Sequence, residues 1–123
     1  ARGDDHAFLV ELPGRRSFSP DASYSRGGAA GRRAVQGAPD FAVEVRSAGD
    51  YGPRMEAKLA RKRADYFAAG TQVVWDVDPE GADVVRAYRS TRPDVPDVFG
   101  RGAIADAEPA VPGWRFAVDD LFR

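Results

Sequence analysis

Three charged residues have the chemical types that metal-assisted hydrolysis uses, and two of them stand where an apolar side chain is expected. Asp21 lies in the stretch "SFSPDASY", Glu44 in "APDFAVEVRS" and Lys62 in "KRADYFAAG". The apolar residues around Glu44 predict a buried strand, and an unpaired charge in such a place costs several kcal/mol. The position of Glu44 therefore predicts that its carboxylate has a partner of opposite charge or binds a cation.

The helix predicted after the Glu44 strand carries the second unexpected charge. Met55, Leu59 and Tyr66 recur at helical spacing and form one apolar stripe. Lys62 falls within this stripe, three residues after Leu59 and four before Tyr66. Lysine is seldom buried unless it is paired. Because this helix must pack on the sheet that contains Glu44, both charges are predicted to point into the same interior.

Asp21 adds a second carboxylate, on or at the end of another predicted strand. Two carboxylates on neighbouring strands supply the hard oxygen ligands that Mg²⁺ prefers, with Mn²⁺ as a possible substitute. A cation there would offset the repulsion between Asp21 and Glu44 and lower the pKa of a bound water. Lys62 could position or deprotonate that water. The three residues together predict hydrolysis of a phosphodiester bond in nucleic acid.

Simpler interpretations of the same residues stay open. Lys62 could extend its ammonium into water, or form only a structural ion pair with Glu44. Asp40 shares a strand face with Glu44 and is the fallback ligand in place of Asp21. Lys58, one turn before Lys62, is either a solvated surface residue or a phosphate contact. The fold could also bind nucleic acid or a partner protein without any chemistry.

Most of the positioning elements follow from apolar patterns and turn residues. Pro53 suits the first turn of a helix over 53–69, and Gly70 stands where a C-terminal cap belongs. Prolines 93, 96, 109 and 112 predict irregular structure after Ser90. The other predicted elements are strands at 6–12, 17–24, 41–46, 72–77 and 83–88, a loop at 25–37 and a turn at 78–81. This order predicts an α/β domain, with one long helix over a small mixed sheet.

Several further residues have a structural interpretation. Asp76 is predicted to be an outward or edge charge, and Asp78 a turn residue. Side chains in the tail are expected to pack it onto the body of the domain: Trp114, Phe116, Leu121 and Phe122. Core packing, rather than stacking on bases, is also the interpretation for the remaining candidate aromatic residues: Tyr51, Tyr66 and Trp75.

Composition narrows the class of protein. The chain has 123 residues, 43% hydrophobic and 30% charged, as in an ordinary globular domain. Its net charge of −1 provides no overall attraction to nucleic acid, and the absence of cysteine excludes disulfides and thiolate metal sites. With no apolar run long enough for a bilayer, we expect no membrane association and a cytoplasmic location. Because the chain begins without methionine, we expect a single domain, 1–123, that lacks an N-terminal piece.

The ordered motifs of the chain resemble the Uma-type restriction endonucleases of the PD-(D/E)XK superfamily. That family has a strand ending in Glu-Val-x-Ser, a helix with Lys-x-x-x-Tyr-x-x-x-Gly, and a strand with Trp and a closing Asp-Pro. The matching segments here are 44–47, 62–70 and 75–79. The resemblance spans about residues 18 to 88 and is carried by the combination of motifs rather than by any one of them.

The resemblance implies a restriction-endonuclease-like fold and a role for each candidate residue. Asp21 and Glu44 would be the acidic metal ligands, with the backbone carbonyl of Val45 completing the protein share of the Mg²⁺ shell. Lys62 would be the catalytic lysine, carried on the helix. Arg46 occupies the usual lysine position of the superfamily motif; it cannot act as a base but could bind phosphate.

The resemblance also implies partners. In one feature the sequence departs from the family pattern. DNA is the expected substrate, and a homodimer is the expected assembly, since two strands of a duplex need two sites. The family usually opens with a helix that carries another glutamate. This sequence shows no such helix, so we expect the N-terminal helix to be missing.

Overall fold

A computed structural model of the chain describes residues 22–24 and 39–122. The strand predicted at 6–12, the loop predicted at 25–37 and Asp21 itself lie outside the described residues. No helix in the described part combines the length and the apolar character needed to span a bilayer.

The described strands form a five-stranded mixed sheet and a separate two-stranded sheet. The larger sheet has the order β1-β2-β3-β4-β5, in which β2 and β3 are parallel and the other neighbours antiparallel. The strands are β1 (Ala22–Tyr24), β2 (Phe41–Val45), β3 (Val73–Val77), β4 (Val85–Arg89), β5 (Arg92–Phe99), β6 (Ile104–Asp106) and β7 (Arg115–Ala117). A parallel pair needs a crossover connection, and the chain supplies a helix between β2 and β3.

That helix, α1 (Pro53–Ala68), begins where the sequence predicts and ends one residue before the predicted end. Pro53 occupies the first turn, where the lack of an N–H is harmless. Gly70 has a φ of 110°, a conformation that glycine adopts without strain, and it closes the C-terminal end. The predicted apolar stripe faces the sheet, but Tyr66 is its only buried member in α1.

The sheet has a core on each face. Alternation along β2 directs Phe41 and Val43 to one face and Ala42 and Glu44 to the other. Ala42 joins Val74 and the helix residue Tyr66 in a small core under α1. The larger core lies on the opposite face, where the C-terminal segment packs on the sheet.

Aromatic rings form the centre of the larger core. Trp75 is fully buried, and its ring centroid lies 5.1 Å from that of Phe41, 5.5 Å from that of Trp114 and 6.1 Å from that of Phe116. The indole N–H of Trp75 donates to the carbonyl of Asp106 at 3.1 Å. The core interpretation of both tryptophans is confirmed.

The prediction of irregular structure after Ser90 is wrong. Residues 92–99 form β5, which pairs with β4 in spite of Pro93 and Pro96. β5 lies at the edge of the described sheet, where proline is tolerated because one side of the strand needs no N–H. The chain then forms the β6–β7 hairpin and a 3₁₀ helix, Val118–Phe122.

The predicted packing of the tail is confirmed for three residues and wrong for the last. Trp114, Phe116 and Leu121 contact the larger core. Phe122 is exposed instead, and the guanidinium carbon of Arg101 lies 4.2 Å from the centre of its ring. A cation–π contact of this kind partly compensates for the exposure of an aromatic side chain.

Candidate active site

Glu44 lies near the end of β2, on the face that α1 covers. The parallel register places it beside Asp76 of β3. Its side chain is 18% exposed, so the carboxylate is half-buried. The expectation of a strand buried throughout is wrong at this end, where Val45 is exposed. Glu44 therefore stands at the border between the small core and solvent.

Two successive turns of α1 contact the two carboxylate oxygens of Glu44. Lys62 Nζ lies 3.2 Å from Glu44 Oε1, and the Tyr66 hydroxyl donates to Glu44 Oε2 at 2.8 Å. Lys62 and Tyr66 are four residues apart and so share one helix face. The sequence prediction that Glu44 and Lys62 point into the same interior is confirmed.

A cleft opens beside this pair. It has a volume of about 150 Å³ and is lined by Glu44, Val45, Lys58 and Lys62, among other residues. The Lys62 side chain is 34% exposed, so its ammonium is in contact with both the protein and solvent. An acid and an amine thus meet at the wall of a solvent-accessible hollow.

The described residues supply only part of a metal site. Within 22–24 and 39–122, no group of three or more His, Cys, Asp or Glu side chains could hold a metal ion. Asp40, the fallback ligand, lies at the other end of β2, about 13 Å of strand away from Glu44. Glu44 and the neighbouring Val45 are the predicted ligands that line the cleft.

Arg46 is buried and fully engaged by protein acceptors. Its side chain is 3% exposed, and its Nε and Nη2 atoms donate to the two carboxylate oxygens of Asp76 at 2.9 and 2.8 Å. Nη1 and Nη2 also donate to Glu56, and Nη1 donates to the carbonyl of Asp50. A guanidinium has five N–H donors, and these contacts use five. The carboxylates of Asp76 and Glu56 raise the pKa of Arg46 further above its ordinary value.

The prediction that Asp76 is an outward or edge charge is wrong. β3 is a central strand, and Asp76 is 4% exposed on the face toward α1. Besides its contacts with Arg46, its Oδ2 lies 3.6 Å from Nη1 of Arg63. A carboxylate in this position is tolerated because it is paired and hydrogen-bonded.

Asp78 and Tyr51 lie together at the turn after β3. Asp78 accepts hydrogen bonds from the backbone N–H of Glu80 and from the Tyr51 hydroxyl, in keeping with the predicted turn. The core interpretation of Tyr51 is wrong, since its side chain is exposed. The hydrogen bond to Asp78 raises the pKa of Tyr51 to about 12.

The remaining predicted contact, Lys58, lies on the exposed side of α1 and also lines the cleft. The sequence interpretation missed the hydroxyl of Tyr66, which was assigned only to core packing. A signal was present, because a buried tyrosine usually places its hydroxyl against a polar partner. It also missed the contacts of Glu56 and Asp76 with Arg46, for which the sequence holds no local signal.

Comparison with known proteins identifies the family. The model of the Uma2 family, described as "Putative restriction endonuclease", matches residues 4–119. The chain belongs to the Uma2 family. A search of curated proteins found no match.

A solved structure provides the comparison of folds. The chain is similar to a crystal structure described as a putative nuclease belonging to DUF820 from Anabaena variabilis ATCC 29413, with 26% sequence identity and a TM-score of 0.55. The similarity covers 69% of this chain and 44% of that chain, so this Uma2 chain spans less than half of the length of that protein. The mixed sheet and helix have the restriction-endonuclease-like architecture.

Proposed function

We propose that this protein is a Mg²⁺-dependent endonuclease that hydrolyses phosphodiester bonds in DNA. The observation that carries the proposal is the half-buried pair of Glu44 and Lys62 at the wall of the cleft. Membership of the Uma2 family and similarity to a protein described as a putative nuclease support the same reaction class.

The donors at the cleft fit a hard cation. A carboxylate and a backbone carbonyl, from Glu44 and Val45, are oxygen ligands of the kind that Mg²⁺ accepts, and this ion keeps several waters. The register of β1 supports Asp21 as the second acid. Ala22, which follows Asp21 in the sequence, pairs with Val43, which precedes Glu44. Bound there, Mg²⁺ would act as a Lewis acid toward the phosphodiester.

Side chains of α1 supply the positive charges that complement these oxygen ligands. Lys62 Nζ is a cationic donor that can orient the attacking water and stabilise the negative charge that develops on the phosphate oxygens. Lys58, exposed on the same helix and beside the cleft, is our candidate for contact with the DNA backbone. Because protein acceptors engage its N–H donors, we propose that Arg46 supports the site, instead of the phosphate contact expected from the sequence.

In the reaction, a water molecule adds to phosphorus and the bond from phosphorus to one bridging oxygen breaks. The water gives up a proton, and the leaving oxygen takes one up. Removing a group that takes part in such proton transfer or charge stabilisation typically lowers the rate by about 10²–10⁴-fold. We expect Glu44→Gln and Lys62→Ala each to lose activity on this scale.

The measurement is cleavage of supercoiled and linear DNA by the full chain with Mg²⁺ or Mn²⁺, followed on gels and repeated with a chelator. Arg101→Ala is the matched control, because it removes one cation of a surface ion pair with Asp119. It should leave cleavage unchanged. Cleavage by Lys62→Ala at the rate of the unaltered protein would contradict the roles proposed here. Salt-dependent DNA binding without cleavage would instead favour the binding-module alternative.

We also propose a homodimer, on the basis of the family resemblance. A homodimer would place two sites on the two strands of a duplex. Sedimentation of the protein with and without a DNA duplex tests this directly, and a monomer on DNA would argue for single-strand nicking.

A further inference from the structure

Tyr66 combines complete burial with a polar contact at the candidate site. Its side chain is 0% exposed, and its ring packs with Ala42, Val74 and Phe67. Phenylalanine would fill the same space in such an apolar setting. The hydroxyl is therefore the part of Tyr66 that packing alone does not explain, and it donates to Glu44 Oε2 at 2.8 Å.

This contact makes the two oxygens of Glu44 different from each other. The terminal torsion of glutamate is broad, so a carboxylate without fixed partners rotates and exchanges its oxygens. Here Oε2 meets a hydroxyl that the small core holds in place, and Oε1 meets Lys62, which is partly exposed and more easily displaced. The firm contact lies on the core side, and the weaker one lies toward solvent.

We propose that Tyr66 is a positioning residue that fixes the carboxylate of Glu44 and so presents Oε1 to the cation. This inference rests on the proposed function, because it concerns the cation that Glu44 would bind. Residues that hydrogen-bond to a metal ligand orient it, and their removal typically lowers metal affinity or activity by about 10–100-fold. In this role Tyr66 acts through Glu44 and does not itself bind the metal or the DNA.

The test is Tyr66→Phe in the full chain, which keeps the ring and removes the hydroxyl. Calorimetric titration with Mn²⁺ alone, without DNA, should show an affinity about 10-fold weaker or more. In the cleavage assay kcat should fall at saturating metal while KM for DNA stays within about two-fold, since an interaction that positions the reacting groups does not contribute to DNA binding. Circular dichroism and the unfolding midpoint establish that the variant is folded.

Tyr51→Phe is the matched control. It removes another tyrosine hydroxyl that donates to a carboxylate, that of Asp78, at 2.7 Å. It should leave Mn²⁺ affinity and kcat unchanged. A double variant, Glu44→Gln with Tyr66→Phe, should bind Mn²⁺ no more weakly than Glu44→Gln alone, because the hydroxyl then has no ligand to orient.

The outcomes separate this inference from the proposed function. If the unaltered protein neither binds Mn²⁺ nor cleaves DNA, both are overturned. If it does both, and folded Tyr66→Phe matches it in affinity and kcat, only the positioning role of Tyr66 is overturned. A further loss of affinity in the double variant would also overturn it, because the hydroxyl would then act independently of Glu44.

Discussion

Two polar clusters lie between the sheet and α1. They differ in the exposed fraction of their charged side chains. Glu44, Lys62 and Tyr66 form the Glu44 cluster, and Arg46, Glu56 and Asp76 form the Arg46 cluster. The anchor residues are two positions apart in the sequence: Glu44 lies in β2, and Arg46 follows its last residue. The same sheet and the same helix therefore contribute to both, and the contrast between them does not come from the fold.

The Arg46 cluster is closed around Arg46 and Asp76, whereas its third member, Glu56, is exposed. Its arginine uses five N–H donors on protein acceptors, and the side chain of Asp76 is 6% exposed. The cluster joins the residue after β2, the C-terminal half of β3 and the first turn of α1. A buried network with its donors satisfied makes the local arrangement rigid. We infer that the Arg46 cluster fixes where α1 lies on the sheet, and thereby where Lys62 lies relative to Glu44.

The Glu44 cluster is open on one side. The Lys62 side chain is 34% exposed, whereas those of Arg46 and Asp76, which also line the cleft, are 3% and 6% exposed. A surface or half-exposed ion pair contributes little to stability, typically about 0–1 kcal/mol. A contribution of this size to stability does not account for a charged pair in an otherwise apolar stripe, which is in keeping with the chemical role proposed for it. The comparison predicts that substitutions in one cluster affect stability and substitutions in the other affect activity.

The largest expected effect on stability is that of Arg46→Met. The change leaves Asp76 buried with much of its hydrogen bonding removed, and breaking a buried ion pair in this way costs about 3–5 kcal/mol. The matched change in the open cluster, Lys62→Met, should cost less than about 1 kcal/mol. Urea unfolding at pH 7, followed by tryptophan fluorescence, measures both free energies of unfolding.

A double variant sharpens this first prediction. Arg46→Met with Asp76→Leu removes both charges and should recover most of the stability that Arg46→Met loses, because the buried carboxylate is then gone and only the exposed Glu56 is left without Arg46. Equal losses for Arg46→Met and Lys62→Met would show that the two clusters do not differ in the way proposed.

A smaller effect is expected at the exposed end of the closed cluster. Hydrogen bonds from Arg46 hold the pKa of Glu56 below its ordinary value of 4.5. A folded-state pKa below the unfolded value means that the contribution to stability is present above pH 4.5 and is lost as the pH falls through the folded-state pKa. Because the Glu56 side chain is 53% exposed, solvent screens the pair, and we expect less than about 1 kcal/mol.

Glu56→Gln tests this pH dependence. The difference in unfolding free energy between the unaltered protein and the variant should be present near neutral pH and shrink steadily below pH 4.5. Glu80→Gln, in the turn after β3, controls for the loss of a glutamate charge elsewhere. A difference that stays constant into acid would exclude the carboxylate of Glu56 as its source.

Local patterns in the sequence were sufficient to predict the Glu44–Lys62 pair of the open cluster, but not the hydrogen bond from the Tyr66 hydroxyl. Glu44 interrupts an apolar strand, and Lys62 interrupts an apolar stripe on a helix. The connection between the strand and the helix is short, so the two elements lie together. The parts that could not be predicted depend on pairing between distant segments. Arg46 and Asp76 are 30 residues apart, and their contact follows only from the register of β2 and β3.

Edge position explains the other difference between prediction and structure. Pro93 and Pro96 argue against a strand in general but are tolerated in β5, where one side of the strand has no neighbour in the described sheet. The sequence does not indicate which strand will lie at an edge.

Asp21, the candidate ligand that most needs a test, lies outside the described residues, and its role stays a prediction.

The smallest expected effect distinguishes the two clusters by their response to salt. The Debye length falls from about 10 Å at 0.1 M salt to about 3 Å at 1 M, which weakens charge interactions that solvent ions can approach. Ions can approach Lys62 but not the enclosed guanidinium of Arg46. The few tenths of a kcal/mol lost in Lys62→Met should therefore shrink toward zero at about 1 M NaCl. The loss in Arg46→Met should stay nearly constant, since it arises from a buried carboxylate that has lost its hydrogen bonds to Arg46 and keeps only the longer contact with Arg63. A strong salt dependence of the Arg46→Met loss would mean that solvent enters the Arg46 cluster, and its assignment as the rigid support of the site would then fail.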